Sequence, residues 1–423
     1  MAVAFLPAGV GAAPDSLTIS RREAVERALT AVGDVARFQS AVRAAEALAR
    51  TPALVSNPVI GAESEGAGSP FSGSDYTRRL TLEQEIDLAG QGKARRQVGQ
   101  ATVAVAEREL AARQQTIQAA VDESYGRWLV ARKRQQFLTP LADRARELRH
   151  HAEEARRSEI VTGFDVRLLR GDVAELESEG AAAQRELEQA EAELRIWLGL
   201  PTGLALRLVD DIDGRLWRCP ADTLTLLAER SRADLGRAAA AESLAERRVF
   251  LERRLARGNP TLGISAGRER RSFDSPTAGL LDDRVTLVGI RATIPIPLIR
   301  SPVGVSEARL ELARSQGERA VLALSVRQEV AAACAGLTAA AERLRVLRDA
   351  VTGAPGDLRM TESAYREGRI SLEQYLTVRE RLVRIQREAF DAQAALEEAR
   401  ARLVHATGTR RDVLASILET TER

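Results

Sequence analysis

The stretch Asn57-Pro58-Val59-Ile60-Gly61 returns in the second half of the chain as Asn259-Pro260-Thr261-Leu262-Gly263. Each copy stands ahead of a segment with period-two alternation. In the second copy, Val288, Ile290, Ala292, Ile294, Ile296 and Leu298 alternate with Gly289, Arg291, Thr293, Pro295 and Pro297. In the first, Leu80, Leu82, Ile86 and Leu88 alternate with Thr81, Glu83, Glu85 and Asp87, with Gln84 interrupting the apolar side. Successive strand residues point to opposite faces, so this pattern predicts strands with one apolar and one polar face. The same elements in the same order, twice, mean one unit written twice.

Working outward, Trp197-Leu198-Gly199 closes the first copy and Ala406-Thr407-Gly408 the second. An offset of 209 carries Val121 onto Val330, Leu187 onto Leu396 and Leu194 onto Leu403. A period that long marks a duplicated domain rather than a solenoid repeat. The first repeat spans 17–200, with a helix at 21–50, strands at 57–66 and 77–90, a long helix at 94–157 and a return helix at 163–198. A connection at 201–220 leads to the second repeat, 221–408. Its parts are a helix at 221–257, strands at 259–269 and 283–299, a long helix at 304–365 and a return helix at 371–406; 409–423 is a C-terminal tail. Gly/Ser-rich hairpins, 66–76 and 267–284, join the strand pairs. Ser20 and Glu23 have capping-box spacing at the first helix start.

The return helices decide how the helical part packs. Leu169, Val173, Leu176, Gly180, Ala183, Leu187, Ala190, Leu194 and Trp197 advance in steps of four and three, and so do Tyr375, Val378, Leu382, Ile385, Ala389, Ala392, Leu396, Ala399 and Leu403. A 3.5-residue repeat puts one narrow seam against a partner helix, which is coiled-coil packing. An outgoing helix of about 60 residues extends roughly 90 Å. Pro140 and the run Gly353-Ala354-Pro355-Gly356 fall at nearly equivalent places and predict a shared bend.

Composition agrees with a mainly α fold with a small β part. Aromatic residues are 4% and charged residues 29% of the chain, a mixture suited to long helices side by side. The formal net charge of +2 leaves no basic excess for a run of phosphates, so nucleic acid is not an expected partner. No apolar run approaches the ~20 residues of a spanning helix, so any bilayer crossing must use strands. Four strands cannot close a barrel, because the edge amides would stay unpaired in lipid; three chains would supply twelve. The lipid-facing set is then Leu80, Leu82, Ile86, Ile290, Ala292, Ile294 and Ile296. The aromatics nearby, Phe71, Tyr76 and Phe273, make only a thin girdle.

Other signals are weak. Residues 1–13 are apolar and end in small residues, without a charged start, so 1–16 read as a truncated export signal or an apolar tail, with no cysteine to carry a lipid. Cys219 and Cys334 lack metal-ligand spacing and are expected to be buried singly, with a disulfide left open. Gly90-Gln91-Gly92-Lys93 is an incomplete phosphate loop whose simpler role is to end a strand and admit a helix. His150 and His151, with Glu153 and Glu154, read as a solvated helix face rather than a metal site. No catalytic, cofactor-binding or metal-ligating residue is assigned, and no cofactor is expected.

With Asn57-Pro58 and Asn259-Pro260, Ile86-Asp87-Leu88-Ala89-Gly90, Ile294-Pro295-Ile296-Pro297-Leu298, Gly368-Arg369-Ile370-Ser371 and Leu198-Gly199-Leu200-Pro201 in this order, the chain resembles the TolC family of outer-membrane efflux proteins, especially its CzcC-like heavy-metal branch. The resemblance covers roughly residues 17–408. It implies a homotrimer with a twelve-stranded outer-membrane β-barrel continuing into a periplasmic α-helical barrel. It also implies two partners, a periplasmic adaptor (membrane fusion protein) and an inner-membrane pump of the RND type. The alternative reading is a non-channel periplasmic coiled-coil scaffold or adaptor. The helical turns at 158–163 and 366–371 would form the periplasmic tips, with Thr162 and the Ser371–Gln374 pair capping the return helices. There Asp165 and Glu373 are expected at the aperture, and Gly368, Arg369 and Ser371 at the adaptor contact.

Overall fold

The computed structural model describes residues 16–31, 33–50, 57–66, 76–159, 161–201, 203–212, 217–275, 279–295 and 303–419. In chain order the elements are β1 (Ser16–Ile19), α1 (Arg21–Ala31), α2 (Gly33–Arg50), β2 (Val59–Gly66), β3 (Tyr76–Glu85), α3 (Gln91–Arg157), α4 (Gly163–Leu198) and β4 (Ala205–Leu208). There follow α5 (Ala221–Ser231), α6 (Ala233–Leu255), β5 (Thr261–Ser275), β6 (Gly279–Thr293), α7 (Val303–Val351), α8 (Ala354–Arg366), α9 (Leu372–Thr407) and α10 (Arg411–Glu419). The duplication is therefore visible in the element order. Two compact units form: residues 38–110 with 234–322, and residues 1–37, 111–233 and 323–423.

The first of these units holds the sheet. Its order is β2-β3-β5-β6, every neighbour antiparallel. β3 hands over to α3 through Asp87, whose carboxylate accepts the backbone N–H groups of Gln91 and Gly92 at 2.7 Å each. These amides would otherwise lack partners at a helix start, so the Gly90–Lys93 segment is a strand-to-helix junction. Helices close on one another through small residues: a Cβ on Gly99 would lie 3.0 Å from the Ala49 Cα. Glu242 of α6 pairs with Arg319 of α7 at 2.7 Å.

The second unit is a helical bundle with a short parallel pair, β1 with β4. Leu141, Ala142, Ala145, Val173, Leu176, Leu358 and Val383 form one core cluster, so α3, α4, α8 and α9 pack together. The predicted seam of α4 is buried at Leu169, Val173, Leu176, Ala183, Ala190 and Leu194. α9 departs from a single seam. It buries Tyr375, Ala389, Ala392, Leu396, Ala399 and Leu403, but also Arg379, Val383, Gln386, Phe390, Glu397, Arg400 and Val404. A helix packed on two sides needs two stripes, and the second can hold charges if their partners are buried with them.

Several expectations need correction. The helix at 221–257 is two, α5 and α6, and between them Arg232 takes an extended ψ of 119°. There Gln115 donates from Nε2 to Ser231 O and Gly408 O and accepts the Ala233 N–H, each at 2.8 Å. Gly408 is held at φ 64°, and a Cβ on it would lie 3.0 Å from the Arg232 Cα. At the two predicted bend positions, α3 runs as one helix through Pro140, whereas the second copy breaks between α7 and α8. Gly353 at φ 100° precedes a proline in the first turn of α8, where a missing N–H breaks no bond. The hairpin expected at 267–284 is mostly strand, paired as far as Ser275 with Gly279. Its residues, Arg268–Arg271 and Asp282–Arg284 among them, lack apolar alternation, and ladder pairing overrides that missing signal. The 201–220 connection holds β4, and the 409–423 tail holds α10. Four-residue strands paired across the sequence leave no local pattern to read. One 18-residue window in Val303–Arg366 reaches a mean hydropathy of 1.4, above what the sequence reading expected; only 22% of it is buried.

Cys219 and Cys334 are joined in a disulfide that closes a separation of 115 residues, not buried singly. The bond ties the segment before α5 to the middle of α7.

Candidate functional site

Three features of the chain carry chemistry beyond packing, and the sheet is the first. Its register sorts side chains into rungs. On one face lie Ile60–Leu82–Ile264–Ile290 and Ala62–Leu80–Ala266–Val288, with Gln84–Leu262–Ala292 beneath them. On the other lie Gly61–Thr81–Ser265–Gly289 and Val59–Glu83–Gly263–Arg291. The apolar face is open: Ile290 is 80% exposed, Val288 81% and Leu80 61%. The structure thus brings Leu80, Leu82, Ile290 and Ala292 onto one face, as the alternation predicted. Ile86 and Ile294 sit just beyond the ends of β3 and β6, and both are exposed. Ile296 lies outside the described residues. An exposed apolar face of this kind marks an interaction surface.

The second feature is the pair of helical turns. Thr162 caps α4 in a reciprocal box: its Oγ1 accepts the Asp165 N–H at 3.1 Å, and Asp165 Oδ2 accepts the Thr162 N–H at 3.1 Å and its hydroxyl at 2.6 Å. Ser371 and Gln374 repeat the arrangement at α9, at 3.2 and 2.9 Å. Asp165 therefore has a structural task that its charge alone did not reveal. Glu373 is exposed in the first turn of α9. Arg369 is exposed and pairs with Glu367 at 2.5 Å. Gly368 turns the chain at φ 68°, and 209 positions earlier Glu159 holds the same left-handed conformation at φ 55°. One apolar cluster, Leu148, Ala152, Val166, Leu169, Leu372 and Tyr375, unites the two turns, with Tyr365 stacked on Tyr375 at 5.4 Å. Asp165, Gly368, Arg369, Ser371 and Glu373 thus belong to one end of one bundle.

The third feature escaped the sequence reading. Glu397 of α9 is buried and meets Arg21 at 2.8 Å, Arg411 at 2.8 Å and Arg400 at 2.9 Å. Asp122 of α3, also buried, meets Arg21 at 2.8 Å and Arg411 at 3.2 Å. Trp217 lies under both Arg400 and Arg411, 5.0 and 5.6 Å from its ring centre. Asp210 accepts the Tyr125 hydroxyl and the Arg21 N–H at 2.6 Å each. Three guanidinium groups and two carboxylates thereby pin α1, α3, α9 and α10 to one point. Burial by itself would raise the Glu397 carboxyl, but Arg411, Arg21 and Arg400 overcome it and hold it down to about 2. A clue existed in the sequence: Glu397 and Arg400 each follow a seam residue, at positions that a two-sided helix buries.

His150 and His151 are exposed beside Glu154, as a solvated face would be. Among the described residues no group of three His, Cys, Asp or Glu side chains is placed to hold a metal.

Comparison with known proteins follows the same lines. Residues 224–409 match the family model described as "Outer membrane efflux protein". No curated protein matches the chain. Among solved structures, CusC, described for its folding and transmembrane channel formation, is similar at TM-score 0.69 and 17% identity, over 92% of each chain. The Campylobacter jejuni CmeC outer membrane channel is similar at TM-score 0.70 and 15% identity, over 95% of this chain and 89% of its own. The outer membrane protein VceC of Vibrio cholerae is similar at TM-score 0.67 and 16% identity, over 92% and 96%. At these identities the likeness establishes a shared fold.

Proposed function

We infer that this chain, whose residues 224–409 belong to the outer membrane efflux protein family, is the outer-membrane channel of a tripartite efflux system, a passive exit duct. The observation that carries the reading is the four-stranded sheet with one open apolar face and two open edges, β2 and β6. In lipid each open edge would strand its amides and carbonyls. Pairing β6 of one protomer with β2 of the next closes three copies into a twelve-stranded barrel, within the range such barrels occupy. Leu80, Leu82, Ile86, Ile290, Ala292 and Ile294 then meet lipid, and Thr81, Glu83 and Arg291 line water. The long helices extend the duct on the periplasmic side as a helical barrel. Exposed Leu310, Val321 and Leu324 of α7 give neighbouring protomers an apolar surface to cover. A soluble scaffold would have no use for two complete apolar rungs turned outward.

The partners in this reading are a periplasmic adaptor and an inner-membrane pump of the RND type. The cargo is metal cations, as in the CzcC-like branch, or small organic toxins. Reconstitution tests the channel itself: the purified protein should insert into planar bilayers as a trimer with steady conductance. A monodisperse monomer in mild detergent with full strand content would refute it.

Two further outcomes are expected. Ile290→Arg should cost roughly 2–4 kcal/mol if its rung sits near the bilayer midplane, and should block trimer assembly. Thr293→Arg, on the other face, should assemble normally; equal tolerance of the two would reverse the assigned faces. At the turns, we place Asp165 and Glu373 at the aperture and Gly368, Arg369 and Ser371 at the adaptor contact. Asp165→Asn with Glu373→Gln should raise single-channel conductance and weaken cation preference. Gly368→Ala with Arg369→Ala, which adds roughly 1–2 kcal/mol of left-handed strain at the turn, should abolish efflux while leaving the trimer intact. Unchanged conductance in the first pair and surviving efflux in the second would move both assignments elsewhere.

A further inference from the structure

The sheet hands its four strands to four helices at one end: α2 leads into β2, α3 leaves β3, α6 leads into β5 and α7 follows β6. Where α3 begins and α6 ends, the two are bonded to each other. Gln91 Nε2 donates to Arg254 O at 3.4 Å, Arg254 Nη1 to Ala89 O at 3.3 Å, and the Ala89 N–H to Asn259 Oδ1 at 3.2 Å. This joined end is basic. α3 opens with Lys93, Arg95 and Arg96 and has no acid in its first turn, although cations at a helix N-terminus oppose its macrodipole. α6 closes with Arg253 and Arg254, and Arg257 follows it.

Lys93, Arg96, Arg253 and Arg257 are exposed. They stand three and four positions apart on their segments, so each pair shares a face. Among the described residues no ion pair engages any of the four. The acids at this level are engaged or set aside. Asp87 caps α3 with Arg95 close by, and Glu85 accepts Asn259 Nδ2 at 2.8 Å. Glu252 lies against α7, its Oε2 2.6 Å from where a Cβ on Gly304 would stand. Glu46 stands four residues before Arg50 on α2, and Glu307 two before Arg309 on α7. The connecting stretches 51–56 and 296–302 contain no acidic residue. Farther from the sheet the helices pair their charges, Glu242 with Arg319 at 2.7 Å and Glu318 with Arg314 at 2.9 Å.

On the sheet side of these cations Ile86 and Leu88 are exposed, Leu88 by 75%. An apolar surface bordered by Lys and Arg suits the boundary between acyl chains and headgroups, because the long stems cover apolar surface while the charges stay in water. Clusters of such residues beside a membrane-crossing segment attract anionic lipid.

We propose that Lys93, Arg96, Arg253 and Arg257 form a basic collar that binds the anionic headgroups of glycerophospholipids in the leaflet on the helical side of the barrel. Ile86 and Leu88 lie against the acyl chains of the same lipids. The collar sets the depth at which sheet gives way to helices. The proposal rests on the channel reading, because only a barrel in lipid brings this end of the sheet to a headgroup layer.

The test uses the full-length protein in non-ionic detergent, titrated with phosphatidylglycerol or with phosphatidylcholine of the same acyl chains and followed by native mass spectrometry. Each Lys or Arg at an anionic surface contributes about five-fold in affinity. Phosphatidylglycerol should therefore bind at least about ten-fold more tightly than phosphatidylcholine. Lys93→Gln, Arg96→Gln, Arg253→Gln and Arg257→Gln combined should bring it down to the phosphatidylcholine level. Arg96→Lys, Arg253→Lys and Arg257→Lys combined should keep the preference, which separates charge from folding. Arg314→Gln with Arg319→Gln, farther from the sheet, should bind as the wild type does. Equal binding of the two lipids, or an unchanged preference in the four-glutamine variant, overturns the proposal. So does an equal loss in the Arg314 and Arg319 variant, which would make the preference one of overall charge. Displacement of the lipid by inorganic phosphate at equal concentration overturns it too, since that marks a free-anion site. Conductance in phosphatidylcholine bilayers is read alongside. A protein that conducts there without preferring phosphatidylglycerol refutes this proposal alone, whereas failure to insert refutes the channel assignment.

Discussion

Glu397→Ala is expected to destabilise the protein by roughly 3–5 kcal/mol, because it leaves buried guanidinium groups without their shared counter-ion. Arg21 and Arg411 keep Asp122, and Arg400 and Arg411 keep their stacking on Trp217. The measurement is the unfolding midpoint of the purified protein by circular dichroism. A change under about 1 kcal/mol, the range of exposed ion pairs, would show that the cluster is solvated and structurally minor. The acid limb of the stability profile gives a second reading. The Glu397 carboxyl is lowered from 4.5 to about 2. A depressed carboxyl contributes stability that is complete above its unfolded value and disappears as pH falls through its folded one. Wild type should therefore lose this contribution between about pH 4.5 and pH 2. Glu397→Gln, which has no carboxyl to titrate, should lack that part of the slope.

Cys219→Ser with Cys334→Ser is expected to cost roughly 2–5 kcal/mol, the range for losing a native disulfide that closes a long loop. The loop here closes a separation of 115 residues, so the unfolded chain gains much freedom on its loss. Reductant should lower the unfolding temperature of the wild type and leave the double variant where it is. If reductant shifted both equally, the bond would not be the cause. The pairing also fits an oxidising compartment such as the periplasm, where disulfides persist.

How much of this was legible depends on the range of the interaction that fixes each element. The return helices were read to the residue at 163–198 and within one residue at 371–406, because a 3.5-residue seam and a polar cap are local signals. The Thr162 and Ser371 caps were read from four residues each. The strand faces at Leu80, Leu82, Ile290 and Ala292 were read from alternation alone, since the pleat sends alternate side chains to opposite sides. The charged upper half of β5 and β6 was not, because a strand whose two faces both carry charge shows no alternation.

The sequence by itself determined the duplication, the mainly helical class, the amphipathic strands and the capped turns, all of them patterns that a few neighbouring residues enforce through helix and strand geometry. Only the tertiary structure decided which charges are buried together and which stand exposed side by side. Glu397 finds Arg21 across 376 positions, Cys219 finds Cys334 across 115, and Gln91 at the start of α3 meets Arg254 at the end of α6 across 163. A local window cannot hold these choices. A charge enters a core only when its partner arrives with it, and the partner's arrival is fixed by the packing of helices and strands far apart in the chain.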